Sequence, residues 1–332
     1  MATAKKIIAV VGATGIQGSS VAHAFLASPD KWHVRCLTRH PSSTKAQELA
    51  KLGCEVVQAD LTDQASLSRA FDGAHAIFVN TDFWAPYRSS VTSGVSSDES
   101  CKIGHEVEVA HGKNAAIVAA GVPTLERFVY SALGPMNRAS NGKYPQSHHW
   151  ETKAAIVDYI EAEHPELARK MATIYIGAYT TNNLLVPKLD SSTGEYSVLL
   201  PCKPTTRFPI IDTAESTGIF VKALVEGEQP NTKLLAYDSY LSVEQIIQAW
   251  SNVTGKQAKL VEGTVEEMHE MTRLPLEVLV APAFIEEYGY TAGVSGVIEP
   301  PQLKTKVQTR GYEDWLRTRD MEELLGENKV VI

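Results

Sequence analysis

The chain has 332 residues, of which 44% are hydrophobic and 21% charged, a composition typical of a globular protein that buries a sizeable core. Its net charge of −8 argues against a general nucleic-acid binder, because phosphate contacts require an excess of cations. The four cysteines lack CxxC spacing, which predicts reduced structural thiols and no zinc site. No apolar run is long enough to span a membrane and the first six residues do not resemble a signal peptide, so we expect a cytoplasmic protein.

The chain begins with a strand, a glycine turn and a helix. The apolar run Ile7–Val11 leads into Gly12, Gly15 and Gly18, and a helical pattern then places four apolar residues on one side: Ile16, Val21, Ala24 and Phe25. In a βαβ unit the first glycine allows the tight turn, the second lets backbone amides approach a pyrophosphate, and the third lets the helix pack closely. The helix N-terminus also attracts phosphate. The pattern predicts dinucleotide binding; the alternative is a glycine-rich turn in an unrelated α/β domain.

The end of the second strand bears on which dinucleotide fits. This strand is predicted over Trp32–Thr38 and is followed by Arg39-His40-Pro41. NAD-binding domains usually have Asp or Glu here, where the carboxylate binds the ribose 2′-hydroxyl and repels a 2′-phosphate. Thr38 and Arg39 occupy the position instead, and a guanidinium binds a 2′-phosphate. The sequence favours NADP over NAD; the alternative is an arginine that merely ends a strand in solvent.

Residues after the next two strands are candidates for the cofactor channel. The third strand, Glu55–Ala59, is followed by Asp60 and Leu61, where this fold commonly has an acidic residue beside the adenine. A helix N-cap explains Asp60 nearly as well. The fourth strand, residues 74–79, ends in a polar and aromatic run. Because the carboxyl ends of parallel strands line the ligand crevice, this run supplies further candidates: Asn80, Thr81, Phe83 and Trp84.

A serine-rich segment, Arg88–Ser100, predicts a mobile loop near the site. It is either a lid that orders on cofactor binding or a tolerated surface insertion. A long helix is expected from about Glu99 to Ala120, with a stripe at helical spacing formed by Val107, Ala110, Asn114, Ile117 and Val118. The fifth strand, Arg127–Ser131, carries Ser131 at its carboxyl end, which makes Ser131 another candidate cofactor contact.

The helix after the fifth strand lacks an expected tyrosine. Short-chain dehydrogenases usually pair a Tyr with a Lys four residues later on one helix face, where the cation favours the phenolate. No lysine of this chain has a tyrosine at that spacing, and His149-Trp150-Glu151-Thr152-Lys153 stands in the expected place. Lys153 is a candidate to bind a ribose hydroxyl and polarise a carbonyl. Histidines titrate near neutrality, and His149 is either a catalytic acid or a bystander that fills space or contacts the cofactor.

These motifs together resemble the NmrA-like family, an atypical branch of the short-chain dehydrogenases. That family includes fungal nitrogen-metabolite repressors, a human NADPH-sensing relative and various reductases. The resemblance covers at least residues 5–225 in order, and the glutamine in the glycine turn, Gln17, adds to its specificity. It is carried by the segments Gly12–Gly18, Thr38–Pro41, Val79–Trp84, Glu106–Lys113, Tyr130–Leu133, His149–Lys153 and Gly177–Leu185.

The resemblance implies an α/β fold: a doubly wound parallel Rossmann sheet with a smaller mixed α/β C-terminal lobe and a cleft over the nicotinamide. It also implies NADP(H) contacts from several segments, namely the glycine turn with Thr14, Ile16 and Gln17, Arg39, the Asn80–Thr81 strand end, Lys153, and the loop containing Tyr179 and Asn182. The family usually has an acidic residue before that asparagine, and Thr181 departs from this pattern. Members that lack the tyrosine include binders without turnover, so the fold alone leaves activity open.

The C-terminal third predicts how the chain divides. Residues 1–176 form the NADP-binding domain, and roughly 206–240 return to it with a last parallel strand, Lys233–Ala236. Residues 177–205 and 241–332 form a smaller, substrate-facing lobe. One stripe in that lobe is either core or the roof of a hydrophobic substrate pocket, and it consists of Leu276, Leu279, Phe284, Ile285, Tyr288 and Tyr290.

Two functions follow from these observations. The first is an NADPH-dependent reductase of a small apolar carbonyl, imine or activated alkene, in which Lys153 polarises the substrate and His149 or an ordered water delivers the proton. The second is a catalytically silent NADP(H) sensor that changes shape at the Arg88–Ser100 segment and binds a protein partner. The aromatic C-terminal lobe favours the reductase, whereas the missing tyrosine favours the sensor.

Overall fold

One large parallel sheet organises the computed structural model, which describes residues 4–190 and 193–325. The strands are β1 (Lys6–Val10), β2 (Trp32–Thr38), β3 (Glu55–Gln58), β4 (Ala76–Val79), β5 (Arg127–Ala132), β6 (Met171–Ile176), β7 (Ala178–Tyr179), β8 (Lys188–Asp190), β9 (Glu195–Leu200), β10 (Arg207–Ile211), β11 (Lys233–Ala236), β12 (Ser239–Ser242), β13 (Ala258–Glu262) and β14 (Val297–Ile298). The 8-stranded sheet has the order β14-β11-β6-β5-β4-β1-β2-β3. All its pairings are parallel. The predicted doubly wound fold is confirmed, with its ligand crevice expected where the order reverses beside β1.

Helices cover both faces of this sheet. They are α1 (Ile16–Leu26), α2 (Thr44–Lys51), α3 (Gln64–Phe71), α4 (Trp84–Thr92), α5 (Ser97–Ala120), α6 (Met136–Ala139), α7 (His148–Glu163), α8 (Pro165–Ala168), α9 (Thr213–Glu226), α10 (Val243–Thr254), α11 (Val265–Thr272), α12 (Leu276–Tyr288), α13 (Tyr312–Leu316) and α14 (Met321–Leu325). Within the described ranges, none of them has the length and apolar character needed to cross a bilayer.

The alternation of side chains along β1 builds two hydrophobic layers. Ile8 and Val10 are buried on the face that α1 and α9 cover, together with Phe25 of α1. Ala9 and Val11 belong to the opposite layer, under α5 and α7. Because successive side chains of a strand point to opposite faces, a strand buried on both sides must be apolar, as β1 is after the exposed Lys6.

Two smaller sheets of three strands each account for the mixed α/β part of the fold. Their orders are β12-β10-β7 and β13-β9-β8, and each contains one parallel and one antiparallel pairing. Strand β10 lies in the range expected to return to the large sheet, but it pairs with β7 and β12. Strand β14, from the range assigned to the smaller lobe, extends the large sheet beyond β11, which is therefore not the last strand. Residues 1–3, 191–192 and 326–332 of the expected lobes lie outside the described residues.

The predicted loop over Arg88–Ser100 is wrong. Helix α4 runs through Thr92 and α5 begins at Ser97, so residues 93–96 alone connect them. Asp82 Oδ1 accepts hydrogen bonds from the backbone of Trp84 at 2.9 Å and thereby caps α4, while Ser96 caps α5. The buried Tyr87 stacks on Phe83 with ring centroids 5.9 Å apart. Both aromatic rings also pack with Cys101 of α5, and this packing together with the caps overrides the weak helix propensity of the serines.

Several predicted helix details also change. Ile16, placed on the buried side of α1, is the first residue of this helix and is 43% exposed. In α5 the expected stripe includes the exposed Ile117, whereas small residues such as Gly112 and Ala116 face inward and allow close packing on α7.

Candidate functional site

A cavity of about 740 Å³ lies at the carboxyl ends of β1, β2, β4, β5 and β6. Most of the cofactor contacts predicted from the sequence line it: Gly12, Thr14, Gly15, Gln17, Thr38, Arg39, Asp60, Leu61, Asn80, Thr81, Phe83, Ser131, Lys153, Tyr179 and Asn182. His149 lines it as well. Two predicted contacts, Ile16 and Gly18, are not among the lining residues. The fold thus brings together segments that are far apart in the sequence.

The glycine turn leaves backbone groups free at one wall of the cavity. Gly12 has φ +70°, in the left-handed region that favours glycine. A Cβ on Gly18 would lie 2.3 Å from the Gly12 carbonyl oxygen, so Gly18 packs α1 against the turn rather than facing the cavity. Gly15 is the N-cap of α1, and no side chain in the described part of the chain caps this helix. Its first N–H groups therefore remain available to an anion, and a phosphate fits there.

Gln17 links this turn to the loop after β6. Its amide nitrogen donates a hydrogen bond to Tyr179 Oη at 2.8 Å. Its carbonyl oxygen Oε1 is buried and has no partner among the described residues. Burial raises the pKa of Tyr179, so the hydroxyl keeps its proton at neutral pH. A buried acceptor without a donor is costly, and a ligand that donates a hydrogen bond here would satisfy it.

Charged groups gather where β2 and β3 end. Arg39 is exposed at the rim of the cavity, and Asp60 and His111 line the same region. Hydrogen bonds from Thr62 and the nearby Arg39 guanidinium lower the pKa of Asp60, which is therefore ionised at neutral pH. Burial lowers the pKa of His111 and favours its neutral form. Asp63 rather than Asp60 caps α3, so the alternative role considered for Asp60 is excluded.

Lys153 is held by a buried polar network. Its Nζ lies 3.1 Å from Glu108 Oε1 and donates hydrogen bonds to Asn80 Oδ1 at 3.3 Å and to the Thr81 carbonyl at 3.1 Å. Glu108 is fully buried and also accepts hydrogen bonds from the Thr81 and Thr152 hydroxyls. This network orients the lysine ammonium at the end of β4.

Tyr130 does not replace the missing tyrosine. Its hydroxyl lies 3.0 Å from Thr81 Oγ1, and the residue is fully buried beneath Thr81. Burial and the neighbouring Glu108 raise the pKa of Tyr130 well above its usual value, so the phenol stays protonated. Tyr130 also does not line the cavity.

His149 is fixed by a carboxylate from α12. Glu277 contacts the His149 ring at Nδ1 and accepts hydrogen bonds from the backbone N–H groups of His149 at 2.7 Å and His148 at 2.8 Å. The Glu277 side chain is 1% exposed and that of His149 is 17% exposed. The imidazole packs against Trp84, with ring centroids 5.1 Å apart. His149 and Lys153 thus lie one turn apart on α7, and both border the cavity.

The far end of the cavity is apolar. Its walls come from the loop after β7 and from α12 and the turn before it: Leu184, Leu185, Leu274, Val278, Ala281 and Pro282. The stripe predicted as a roof is mostly core, because Leu279, Phe284 and Ile285 are buried on another face of α12, and of that stripe Tyr290 alone lines the cavity. The pocket is thus bounded by residues that the sequence pattern did not single out.

Comparison with known proteins identifies the family. A profile of the NmrA-like family matches residues 4–323. The chain belongs to the NmrA-like family. Among curated relatives of this NmrA-like chain, the NmrA-like family domain-containing oxidoreductase malD of Malbranchea aurantiaca is 30% identical over 274 residues, which is 79% of this chain and 76% of the relative.

Solved structures share the fold of this NmrA-like chain. A crystal structure of NmrA, a negative transcriptional regulator, in complex with NADP has 22% identity and a TM-score of 0.65, covering 97% of this chain and 94% of the other. NmrA has also been solved in complex with NAD. The binary complex of leucoanthocyanidin reductase with NADPH from Vitis vinifera has 16% identity and a TM-score of 0.68, covering 94% of this chain and 98% of the other.

Three residues of the site were not predicted from the sequence: Glu108, His111 and Glu277. Glu108 lies on a helix where a glutamate is usually exposed, and its one signal is that it falls within Glu106–Lys113, a segment that carried the family resemblance. Glu277 acts on His149 across 128 positions of sequence. His111 falls within a segment that carried the family resemblance, which was the one available signal for it.

Proposed function

We propose that this NmrA-like protein binds NADP(H) in the cavity and is an NADPH-dependent reductase of a small apolar carbonyl, imine or activated alkene. One observation carries the proposal: His149 and Lys153 border a single cavity that extends from the glycine turn to an apolar end. A proton donor, a cation and a hydrophobic pocket around one space are what a reductase of an apolar substrate requires.

The cavity has groups suited to each part of the cofactor. The first turn of α1 would hold the pyrophosphate, and Arg39 would bind the 2′-phosphate that distinguishes NADP from NAD. Asn80 follows β4, and the Lys153 ammonium reaches it from α7; the two side chains would hold the nicotinamide ribose. The resemblance to oxidoreductases and the NADP and NADPH complexes of the structural neighbours support this assignment.

The side chains beside the expected nicotinamide would stabilise the developing charge and transfer the proton. NADPH supplies hydride when it is bound. The ammonium of Lys153 would stabilise negative charge on a substrate oxygen or nitrogen, and the imidazole of His149 would donate the proton. The apolar wall formed by Leu274, Val278 and Pro282 would exclude water and favour a substrate without charge.

We also propose which parts of the chain bind the cofactor and which face the substrate. Residues 1–176 with 206–240 would bind the cofactor, and residues 177–205 and 241–332 would face the substrate. The lining of the cavity supports this division, because the glycine turn and Arg39 come from the first part and the apolar wall comes largely from the second.

A second candidate is a catalytically silent NADP(H) sensor that binds a protein partner. It is favoured by the pairing of Lys153 with Glu108 at 3.1 Å, which partly neutralises the ammonium, and by the absence of a tyrosine four residues earlier. In that case NADPH binds without being consumed, and the bound cofactor changes the affinity for the partner.

The two functions are separated by NADPH oxidation in the presence of a panel of apolar ketones, cyclic imines and conjugated enones. The reductase predicts substrate-dependent oxidation by the wild type that falls by about two orders of magnitude or more in His149→Gln, the range typical of a lost general acid. NADPH affinity, measured by fluorescence, should be similar in both proteins. Tight NADPH binding without oxidation by any member of the panel would favour the sensor instead.

A further inference from the structure

The contact between Glu277 and His149 determines which nitrogen of the imidazole is left for a ligand. A neutral imidazole has one N–H donor and one bare nitrogen, and the partner of one nitrogen fixes the role of the other. Glu277 occupies Nδ1, and its carboxylate can only accept when ionised. In the described residues Nε2 has neither a hydrogen bond nor an ion pair, and the ring borders the cavity. Nε2 is therefore the nitrogen left for a ligand.

The ring cannot readily turn away from this arrangement. Trp84 packs on it with centroids 5.1 Å apart, and Phe83 with centroids 6.1 Å apart. Glu277 is itself fixed, because the two backbone N–H groups at the start of α7 also donate to it. Glu277 belongs to α12, which also supplies Val278 and Pro282 to the apolar wall of the cavity. The helix that shapes the substrate pocket thus also orients the candidate proton donor.

Several other titratable side chains lie near Glu277 and His149. Burial raises the pKa of Tyr87 from α4 and, together with Glu277, raises that of Cys101 from α5 to about 12, so both stay neutral. Burial and His148 lower the pKa of His105, which favours its neutral form. Charged groups near the pair include Asp98, at the exposed start of α5, and Lys153 with its partner Glu108. His148, beside His149 on α7, is a further titratable group.

We propose that Glu277 is a positioning residue that holds His149 as the proton donor of the reductase. This proposal rests on the proposed function. The substrate carbon receives hydride from NADPH, the C=O or C=N π electrons move to the heteroatom, and that atom receives the proton from His149 Nε2. NADPH is thereby oxidised to NADP⁺ and the substrate is reduced by two electrons. The imidazole is left neutral with its proton on Nδ1, facing Glu277, and solvent reprotonates Nε2 after product release.

The test compares Glu277→Gln with the wild type, and Glu286→Gln serves as a control. Glu286 lies on the same helix and pairs with Lys203, away from His149. Two readouts are needed: kcat, and the tautomer of His149 from ¹⁵N NMR of the imidazole, assigned with His149→Gln. The NMR readout does not require turnover, and thermal unfolding shows whether each variant is folded.

The proposal predicts that the wild type at alkaline pH carries the imidazole proton on Nδ1 and that Glu277→Gln loses this preference. It predicts that kcat falls about tenfold to hundredfold in Glu277→Gln with unchanged NADPH affinity. Glu286→Gln should match the wild type.

Wild-type kcat and an unchanged tautomer in Glu277→Gln would overturn the proposal. A purely structural role would lower stability and leave the tautomer unchanged, which would also overturn the proposal. If the wild type fails to oxidise NADPH with every substrate of the panel, the proposed function fails, and the proton-donor role of His149 fails with it. The tautomer then still shows separately whether Glu277 orients the ring.

Discussion

Lys153 Nζ lies 3.1 Å from Glu108 Oε1, and the glutamate side chain has no solvent exposure. The carboxylate also accepts hydrogen bonds from Thr81 and Thr152, so three neighbours from two elements depend on it. A buried charge is tolerated when it is paired and its hydrogen bonds are satisfied. Glu108 therefore holds the lysine at the end of β4, which is where the proposed function requires a cation.

Replacement of Glu108 by glutamine should destabilise the fold. The substitution leaves the Lys153 ammonium largely buried without its counter-ion, and the loss of one partner of a buried pair costs about 3 kcal/mol. Urea unfolding measures this difference. Glu106→Gln is the matched control, because Glu106 lies on the same helix and is exposed. Equal free energies of unfolding for the two variants would show that the buried pair contributes little.

Arg39→Ala should weaken NADPH binding and leave NADH binding nearly unchanged. The guanidinium is the group placed to bind the 2′-phosphate, and a charge-assisted hydrogen bond contributes about 2 kcal/mol, or roughly thirtyfold in Kd. Fluorescence titration with both nucleotides gives the ratio. Lys51→Ala, an exposed cation of α2, controls for the general loss of positive charge. Equal losses for NADPH and NADH would contradict the role of Arg39.

Gly18→Ala should impair both folding and cofactor binding. The added methyl would lie 2.3 Å from the Gly12 carbonyl oxygen, so α1 must shift away from the turn. Overpacking of this kind costs about 1–3 kcal/mol. Gly121→Ala is the control, since its methyl would lie 3.5 Å from the Val118 carbonyl oxygen, an ordinary contact. If thermal unfolding and NADPH titration of Gly18→Ala match those of Gly121→Ala, the close approach of α1 is not needed.

Ala281→Phe should block the apolar end of the cavity without affecting the cofactor. Ala281 lines that end, and a phenyl group there would occupy space that the proposed substrate needs. We expect KM for an apolar substrate to rise at least about tenfold, as a loss of about 1.4 kcal/mol would produce, while the Kd for NADPH stays the same. Met271→Phe, at a position that is 62% exposed, is the control. An unchanged KM would place the substrate elsewhere.

Much of the fold could be predicted from the sequence because its signals are local. The limits of β2 follow from the pattern of its apolar residues, and the glycine turn follows from its spacing. The segment from Arg88 to Ser100 could not be predicted in this way. Its serines favour a loop, whereas in the fold Phe83 and Tyr87 at the start of α4 pack with Cys101 of α5, and Tyr87 Oη lies 3.1 Å from Ser97 Oγ. These contacts join two helices, and the sequence pattern does not show them.

Some residues of the candidate site could likewise be predicted from the sequence, and others could not. Arg39, Asn80 and Lys153 could be found because each stands at a defined position relative to a strand end or helix. Glu277 could not, since its partner is 128 positions away and no spacing rule connects the two. Contacts between distant segments are products of the tertiary fold, which a single sequence does not display.

A calorimetric titration of the wild-type protein with NADPH tests the proposed cofactor site directly. We expect saturable binding of one nucleotide per chain that weakens in Arg39→Ala, whereas NADH should bind more weakly and show no such dependence. A wild-type protein that releases no binding heat with NADPH and also shows no change in nucleotide fluorescence would rule out NADPH binding in the cavity.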